Sequence, residues 1–190
     1  MAPANPSPSR RVILQAGGLA ALAGTLNGLP TRAQGDSGMV VAQAFASGTL
    51  FPTQGDADGP PYTLILWGAD GRGLLALTQE WAAVLNGGAL LAALEAGAQP
   101  QAAVVLPAPA DGTGPQQAWG LKLVSGSPGS DADAVTYQGE LLEDAAASDW
   151  LGTPVTAPDG AATFGPGYLV IIGLEGLDIS ENAAVRVALS

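Results

Sequence analysis

Apolar and polar residues alternate along several short stretches of this chain, and such alternation is typical of half-buried β-strands. Residues 118–125 and 135–141 alternate in this way, and Tyr137 belongs to the apolar side of the second stretch. Each of these two stretches therefore predicts a strand with one face in a core and the other in water. Residues 40–45, which are apolar except for Gln43, predict another strand, and residues 49–51 continue it.

Five further runs that are rich in apolar residues predict strands. These runs are residues 62–67, 74–81, 102–106, 168–174 and 184–189. The fourth run contains three consecutive β-branched residues, Val170, Ile171 and Ile172, which predicts a central strand buried on both faces. The pair Asp70-Gly71 separates the first two runs and favours the positive φ of a tight turn, so it predicts a hairpin between them.

Residues 89–96 predict the clearest helix downstream of residue 33, because they are rich in Ala and Leu. Gly97, with Pro100 beyond it, supplies the signal for the helix to end. About eight short strands and a single helix, joined by turns rich in Gly and Pro, predict an all-β fold. We expect one β-sandwich or barrel-like domain; the alternative is an α+β fold in which the helix covers one face of a sheet.

The first thirty-three residues follow a different pattern. Arg10 and Arg11 stand before a glycine-diluted apolar run that extends to Leu29, and the region contains no acidic residue. A permanent membrane helix needs about 20 strongly apolar residues, so this run is too polar to remain in a bilayer. Small residues suit cleavage after Ala33, and a second candidate site ends at Ala44. The region therefore predicts a cleavable signal peptide.

The sequence Ser-Arg-Arg-Val-Ile-Leu-Gln at residues 9–15 resembles the twin-arginine signal, with Arg10 and Arg11 as its defining pair. The resemblance implies that a translocase exports the chain as a folded domain into the periplasm or out of the cell. Proteins exported by this route often bind a cofactor, or they are exported together with a partner subunit that relies on the signal of the other chain. We expect a signal peptide at 1–33 and a single exported domain at 34–190. An amphipathic helix of a cytoplasmic protein is disfavoured, because glycines make poor helices.

Charge narrows the choice of partners. The chain has 6 basic and 17 acidic residues, and three of the basic residues lie within 1–33. The expected exported domain has 157 residues, enough for a sizeable core, and its three basic against seventeen acidic residues give a formal charge of −14. Such a surface repels phosphate backbones and anionic lipids, so nucleic acid and membrane surfaces are excluded as partners.

The chain contains neither cysteine nor histidine. Their absence excludes zinc sites built from His and Cys, iron–sulfur clusters, His-ligated haem and blue-copper centres. It also excludes Ser-His-Asp and Cys-His catalysis and attachment as a lipoprotein. We therefore expect no bound cofactor, and we expect stability to come from the core rather than from disulfides.

Two pairs of aspartates are candidate calcium ligands, because Ca²⁺ prefers carboxylate and carbonyl oxygens. The pairs are Asp56 with Asp58 in Gly-Asp-Ala-Asp-Gly, and Asp131 with Asp133. The first pair does not complete a calcium-binding loop, since Pro60 and Trp67 occupy the positions of two further ligands. Aspartates also favour turns through hydrogen bonds to nearby backbone, so solvated turns are the expected structures.

An acidic cluster provides the only candidates for acid–base catalysis. Glu140, Glu143, Asp144 and Asp149 lie close together beside Trp150. Two carboxyl groups near an aromatic wall are typical of a glycan hydrolase, and Glu140 and Glu143 are the candidate acid and base. Sequence spacing does not fix the distance between two carboxyl groups, and acidic clusters commonly lie on solvated surfaces, so we expect a surface cluster.

Three further features have simpler structural interpretations. Lys122 and Ser125 suggest a serine–lysine dyad, but an activated lysine must be buried and the alternation places Lys122 on the wet face. The phase of Tyr137 predicts a core tyrosine rather than a nucleophile. The tryptophans are candidates for a ligand groove, although tryptophans in strands usually belong to the core; they are Trp67, Trp81, Trp119 and Trp150.

These observations favour an exported, non-catalytic binding or structural domain, with a subunit of an exported complex as one form of it. Its partner is expected to be another protein or a small ligand. The alternative is a secreted, carboxylate-dependent hydrolase that acts on glycans, with or without calcium. The hydrolase hypothesis predicts that Glu140 or Glu143 lies in a cleft, whereas the binding hypothesis predicts exposed carboxylates.

Overall fold

A computed structural model describes residues 39–53, 61–69, 74–77, 81–86, 88–106, 117–131, 133–142, 160–174 and 183–188. Within these residues the protein is an antiparallel sheet of eleven strands with one short helix. The prediction of an all-β fold with a single helix is therefore confirmed. The predicted signal peptide at 1–33 lies outside the described residues.

The elements follow one another as short segments. In chain order they are β1 (Val40–Phe45), β2 (Ser47–Pro52), β3 (Tyr62–Trp67), β4 (Leu74–Leu77), β5 (Trp81–Leu85), α1 (Gly88–Glu95), β6 (Gln101–Leu106), β7 (Gln117–Pro128), β8 (Ala134–Leu141), β9 (Ala162–Phe164), β10 (Gly167–Ile172) and β11 (Ala183–Ala188). The order across the sheet is β11-β5-β4-β1-β10-β6-β7-β8-β3-β2-β9.

Two long runs of chain hold the sheet together. β1 and β2 form one run that bends at Ala46, and β9 and β10 form another. The two runs pair in a single register from end to end, with Val40 opposite Ile172 and Leu50 opposite Ala162. Along its other edge the first run pairs with β4 through β1 and with β3 through β2.

This double pairing closes six segments into a ring. From β2 the pairing passes to β3, β8, β7, β6 and β10, and β10 pairs again with β1. We call this circuit the strand ring; β4, β5 and β11 extend from β1 as a side sheet. Because strand side chains alternate between two faces, every second residue of the strand ring points into its interior.

The interior of the strand ring is the main core. Its fully buried side chains are Val41, Leu50, Leu64, Leu66, Leu121, Leu123, Tyr137, Leu169 and Ile171. Burial of one such aliphatic side chain stabilises the fold by about 1.5–3 kcal/mol. Helix α1 adds Leu90 and Leu94 to the same core. It approaches β7 closely, since a Cβ atom at Gly126 would lie 2.8 Å from the Leu91 Cδ2 atom.

The outer side of the strand ring differs between its two halves. On β1, β10, β6 and β7 the outward residues form a second buried apolar cluster: Val40, Ala103, Val105, Ala118 and Val170. β10 is therefore buried on both faces, as its β-branched sequence predicts. On β2, β3 and β8 the outward residues are mostly polar and partly exposed.

The predicted hairpin between residues 62–67 and 74–81 is wrong. β3 pairs with β2 and β8, whereas β4 pairs with β1 and β5. Both strands lie along the same edge of the β1–β2 run, so the chain moves along that edge instead of folding back on itself. The apolar stretch 74–81 is also divided, because β5 begins at Trp81 and pairs back against β4.

Candidate functional site

One buried polar pair lies inside the strand ring. The Tyr137 hydroxyl donates a hydrogen bond to Gln43 Oε1 at 2.7 Å, and Gln43 Nε2 donates to the Ala69 carbonyl at 2.9 Å. Burial raises the pKa of Tyr137 far above its usual value, although the Gln43 hydrogen bond opposes the shift. Tyr137 is therefore a neutral core residue, as predicted, and it joins β8 to β1 and to the chain that follows β3.

An extended polar surface lies on the outer side of β9, β2, β3, β8 and β7. Alternation fixes most of its members, because their strand neighbours Leu50, Leu64, Leu66 and Tyr137 are buried in the core. On β7 the register shift after Leu123 turns Ser125 and Ser127 outward. We call this surface the hydroxyl face. Its residues are Ser47, Thr49, Phe51, Thr63, Ile65, Trp67, Ser125, Ser127, Thr136, Gln138 and Thr163.

Strand register arranges these side chains in rows across the sheet. The central row contains Thr163, Thr49, Ile65, Thr136 and Ser127, each opposite the next on the neighbouring strand. The hydroxyl oxygens of Thr49 and Thr163 are 3.4 Å apart. Four of the five positions therefore present a hydroxyl group, and the row spans five strands.

A second row runs beside the first. It contains Phe51, Thr63, Gln138 and Ser125, the last of which follows a bulge in β7. The Ser125 hydroxyl donates to Gln138 Oε1 at 3.1 Å, and the hydroxyls of Thr53 and Thr63 are 2.9 Å apart. These hydrogen bonds hold the polar side chains in fixed orientations. Thr63 is buried, whereas Thr53, Ser125 and Gln138 remain partly exposed.

Apolar groups interrupt the hydroxyl face at intervals. Phe51, Ile65 and Trp67 are each partly exposed there. The Trp67 indole Nε1 lies 3.4 Å from a carboxylate oxygen of Asp131, a long contact that orients the ring at the border of the face. Amphipathic aromatic rings beside hydroxyl and amide groups are the usual lining of ligand-binding surfaces.

Among the residues that the structure describes, charged side chains stand at the borders of the hydroxyl face. Lys122 and Glu140 lie opposite each other at one border, and Asp131 lies at another. The eleven residues of the face itself contain no ionisable group other than ordinary hydroxyls. This surface is uncharged, whereas the whole chain has a formal net charge of −11.

The structure places the candidate carboxylates in different regions. Glu140 is exposed on the outer side of β8. Asp131 and Asp133 are exposed in the connection between β7 and β8, where Asp131 contacts Trp67. Asp56, Asp58 and Glu143 lie outside the described residues. Within the described ranges no three His, Cys, Asp or Glu side chains are grouped so that they could hold a metal ion.

The candidate dyad is not assembled. The Ser125 hydroxyl donates to Gln138, and Lys122 lies half-buried on the outer side of the strand ring opposite Glu140. Of the four tryptophans, Trp67 belongs to the hydroxyl face, and Trp150 lies outside the described residues. Trp119 packs on the core, with its ring centroid 5.0 Å from that of Phe164.

Topology brings several connections to one end of the strand ring, which we call the loop end. β2, β6 and β8 finish there, and β3, β7 and β9 begin there, at the end of β7 remote from α1. Half-buried Tyr62, Leu106, Trp119 and Leu141 pack on the core at this end. Asp56 and Asp58 belong to the first of these connections and Glu143 to the third, whereas Asp131 lies at the other end.

No helix in the described part of the chain is long and apolar enough to cross a membrane. The chain matches no protein-family model, no curated protein sequence and no solved structure. The role of the hydroxyl face must therefore be inferred from its own chemistry.

Sequence reasoning missed most of the hydroxyl face. It assigned Thr136 and Gln138 to a wet strand face, but it gave no weight to Thr49, Ile65 or Thr163. The available signal was the choice of Thr and Ser, instead of Lys or Glu, at outward strand positions. That signal becomes informative only when strand order places the residues side by side.

Proposed function

We propose that this chain is an exported, non-catalytic binding domain and that the hydroxyl face is its ligand-binding surface. The observation that carries this proposal is the absence of charge from eleven neighbouring outward positions in a strongly acidic protein. The cores of binding surfaces are depleted of charged residues and enriched in aromatic ones. Phe51, Ile65 and Trp67 supply the apolar contacts, and the hydroxyls supply hydrogen bonds.

The chemistry of the hydroxyl face supports binding without catalysis. Threonine and serine hydroxyls and the Gln138 amide donate and accept hydrogen bonds but remain neutral near pH 7. Proton transfer to a substrate requires a group that changes its protonation state near the working pH. The chain has no histidine, and Glu140 is an exposed carboxylate at the border of the face. The face therefore suits holding a ligand in place.

Export is part of the same proposal. Arg10 and Arg11 direct the chain to the twin-arginine translocase, and cleavage after Ala33 releases the domain. The domain then works in the periplasm or outside the cell. A subunit of an exported complex is one form of this function, with another protein as the ligand.

Native mass spectrometry of the protein from the exported fraction of its own host tests both parts. We expect an N-terminus at Gln34 and an additional bound mass. Thr136→Arg places a large cation in the central row of the hydroxyl face and should abolish the bound mass. Glu95→Arg, at an exposed position of α1, is the matched control and should retain it. A bound mass that survives Thr136→Arg would contradict the assignment of the face.

A carboxylate-dependent glycan hydrolase is the second candidate, and one observation favours it. The connections that contain Asp56, Asp58 and Glu143 join the strand ring at the loop end, where Trp119 and Tyr62 are half-buried. Release of reducing sugars from glycans by the purified protein, lost in Glu143→Gln and retained in Glu140→Gln, would support a hydrolase. No release by the unaltered protein would favour the binding function.

A further inference from the structure

We propose that the ligand of the hydroxyl face is an uncharged glycan chain, an inference that rests on the binding function proposed above. The ligand would lie across β9, β2, β3, β8 and β7, along the rows of hydroxyl groups. Three properties of the face support this ligand class over others: its size, its hydrogen-bonding chemistry and its charge.

The size of the hydroxyl face disfavours a stable protein interface. Five neighbouring strands at their usual spacing measure about 19 Å across. The outward positions from Thr63 to Trp67 extend about 13 Å along the strand. The face therefore has a flat area of roughly 250 Å². Each partner in a stable protein complex usually buries about 800 Å² of accessible surface, which is a larger area. A surface of this size is sufficient for a few units of an elongated ligand.

The hydrogen-bonding groups of the face match sugar hydroxyls. Thr49, Thr136, Thr163 and Ser127 each present a group that both donates and accepts, and sugar hydroxyls have the same dual character. The C–H face of a sugar ring needs an apolar surface, which Trp67 and Phe51 provide at different levels of the face. Separated apolar contacts, with hydroxyl rows between them, suit a ligand that is itself amphipathic along its length.

The negative charge of the expected exported domain favours an uncharged glycan over an anionic one. The expected exported domain has a formal charge of −14, which repels polymers that carry carboxylate or sulfate groups. The hydroxyl face contains no cation to offset that repulsion, and Lys122 at its border stands opposite Glu140. A neutral chain avoids the repulsion and needs no counter-charge.

The test compares uncharged with anionic polysaccharides. The exported protein is titrated by calorimetry and affinity electrophoresis with xylan, glucomannan, mixed-linkage β-glucan and amylose, and then with polygalacturonate and alginate. We expect binding to at least one uncharged polymer and to neither anionic one. Binding that is restricted to the anionic polymers, or binding to none of the six, would overturn the inference.

Variants show whether any binding uses the hydroxyl face. Trp67→Ala should weaken binding roughly tenfold, and Trp67→Phe should retain most of it, since the ring is kept. Gln138→Ala should weaken binding as well, whereas Gln101→Ala, at an exposed position of β6, is the matched control and should not. Thermal melting confirms that each variant is folded. Binding that is unchanged in both Trp67→Ala and Gln138→Ala would overturn the inference.

Failure of the inference is distinguishable from failure of the proposed function. If no polysaccharide binds but native mass spectrometry shows a protein partner that Thr136→Arg removes, the glycan assignment is wrong and the binding function stands. If neither a polysaccharide nor any bound mass depends on the hydroxyl face, both are wrong.

Discussion

At the scale of single residues, Tyr137 and Gln43 show how a polar pair stabilises an apolar interior. Each is almost completely buried. Tyr137 donates a hydrogen bond to Gln43, and Gln43 donates a second one to the Ala69 carbonyl. Buried polar groups that are fully hydrogen-bonded specify one arrangement of a core, because any displacement leaves a donor or acceptor unpaired. Removal of one partner should therefore cost more than the hydrogen bond alone contributes.

Tyr137→Phe should lower the free energy of unfolding by about 1–3 kcal/mol, because Gln43 Oε1 loses its donor inside the core. Urea unfolding measures the change. Tyr168→Phe, on the outer side of β10, is the control and should stay within about 0.5 kcal/mol of the unaltered protein. Gln43→Leu should cost at least as much, because it leaves both the Tyr137 hydroxyl and the buried Ala69 carbonyl without a partner. A Tyr137→Phe variant as stable as the unaltered protein would show that the hydroxyl is dispensable.

The same tyrosine predicts a dependence of stability on alkaline pH. Because burial raises the folded-state pKa of Tyr137 above its ordinary 10.0, the folded protein keeps a proton that the unfolded chain loses. The contribution is complete below pH 10 and decreases above it, by at most about 1.4 kcal/mol per pH unit. Between pH 8 and 11, the difference in unfolding free energy between the unaltered protein and Tyr137→Phe should therefore decrease. A difference that stays constant over this range would contradict the assignment.

At the scale of elements, α1 depends on a glycine in the strand beneath it. A Cβ atom at Gly126 would lie 2.8 Å from Leu91 Cδ2 and 3.0 Å from both Leu94 Cδ1 and Tyr137 Cδ1. Gly126→Ala should therefore displace α1 and cost about 1–3 kcal/mol of unfolding free energy. Gly165→Ala, where an added Cβ meets nothing within 4 Å, is the control. Hydrogen exchange should show faster exchange in α1 for the first variant only; equal exchange in both would refute close packing.

The elements also show how far sequence patterns reach. The alternating patterns at residues 118–125 and 135–141 correctly predicted β7 and β8, because every second residue of a half-buried strand is apolar. The helix at 89–96 is observed at Gly88–Glu95, since Gly and Pro mark its end locally. β9 was not predicted, because three residues are too few to show a period. The hairpin failed for another reason: Asp70-Gly71 indicates a turn but cannot indicate which strands pair after it.

The candidate site was less accessible to sequence reasoning than the fold. A row such as Thr163, Thr49 and Thr136 is assembled from distant parts of the chain, and Thr49 and Thr163 are 114 residues apart. Nothing local to any one of these threonines distinguishes it from an ordinary wet strand residue. The carboxylates were easier to select as candidates, because a single Asp or Glu residue can be recognised as a possible acid, base or metal ligand without knowledge of its neighbours.

At the scale of the whole molecule, the proposed signal peptide predicts where the domain works. Replacement of Arg10 and Arg11 together by lysine should block export, because the twin-arginine signal resembles this sequence through that pair. Fractionation of the host with N-terminal sequencing should find the uncleaved chain in the cytoplasm. Arg32→Lys is the control and should be exported normally. Unchanged export of the double variant would contradict the assignment of the route.

The pairing of the β1–β2 run with the β9–β10 run has a consequence for synthesis. Residues 40–50 find their partners only at 162–172, so the strand ring remains open until nearly the whole chain has left the ribosome. A truncated or stalled chain exposes the unpaired edges that invite aggregation. If the translocase accepts folded cargo, as the resemblance implies, this distant pairing means that only a complete chain can fold and be exported. An incomplete chain is then retained where proteases can remove it.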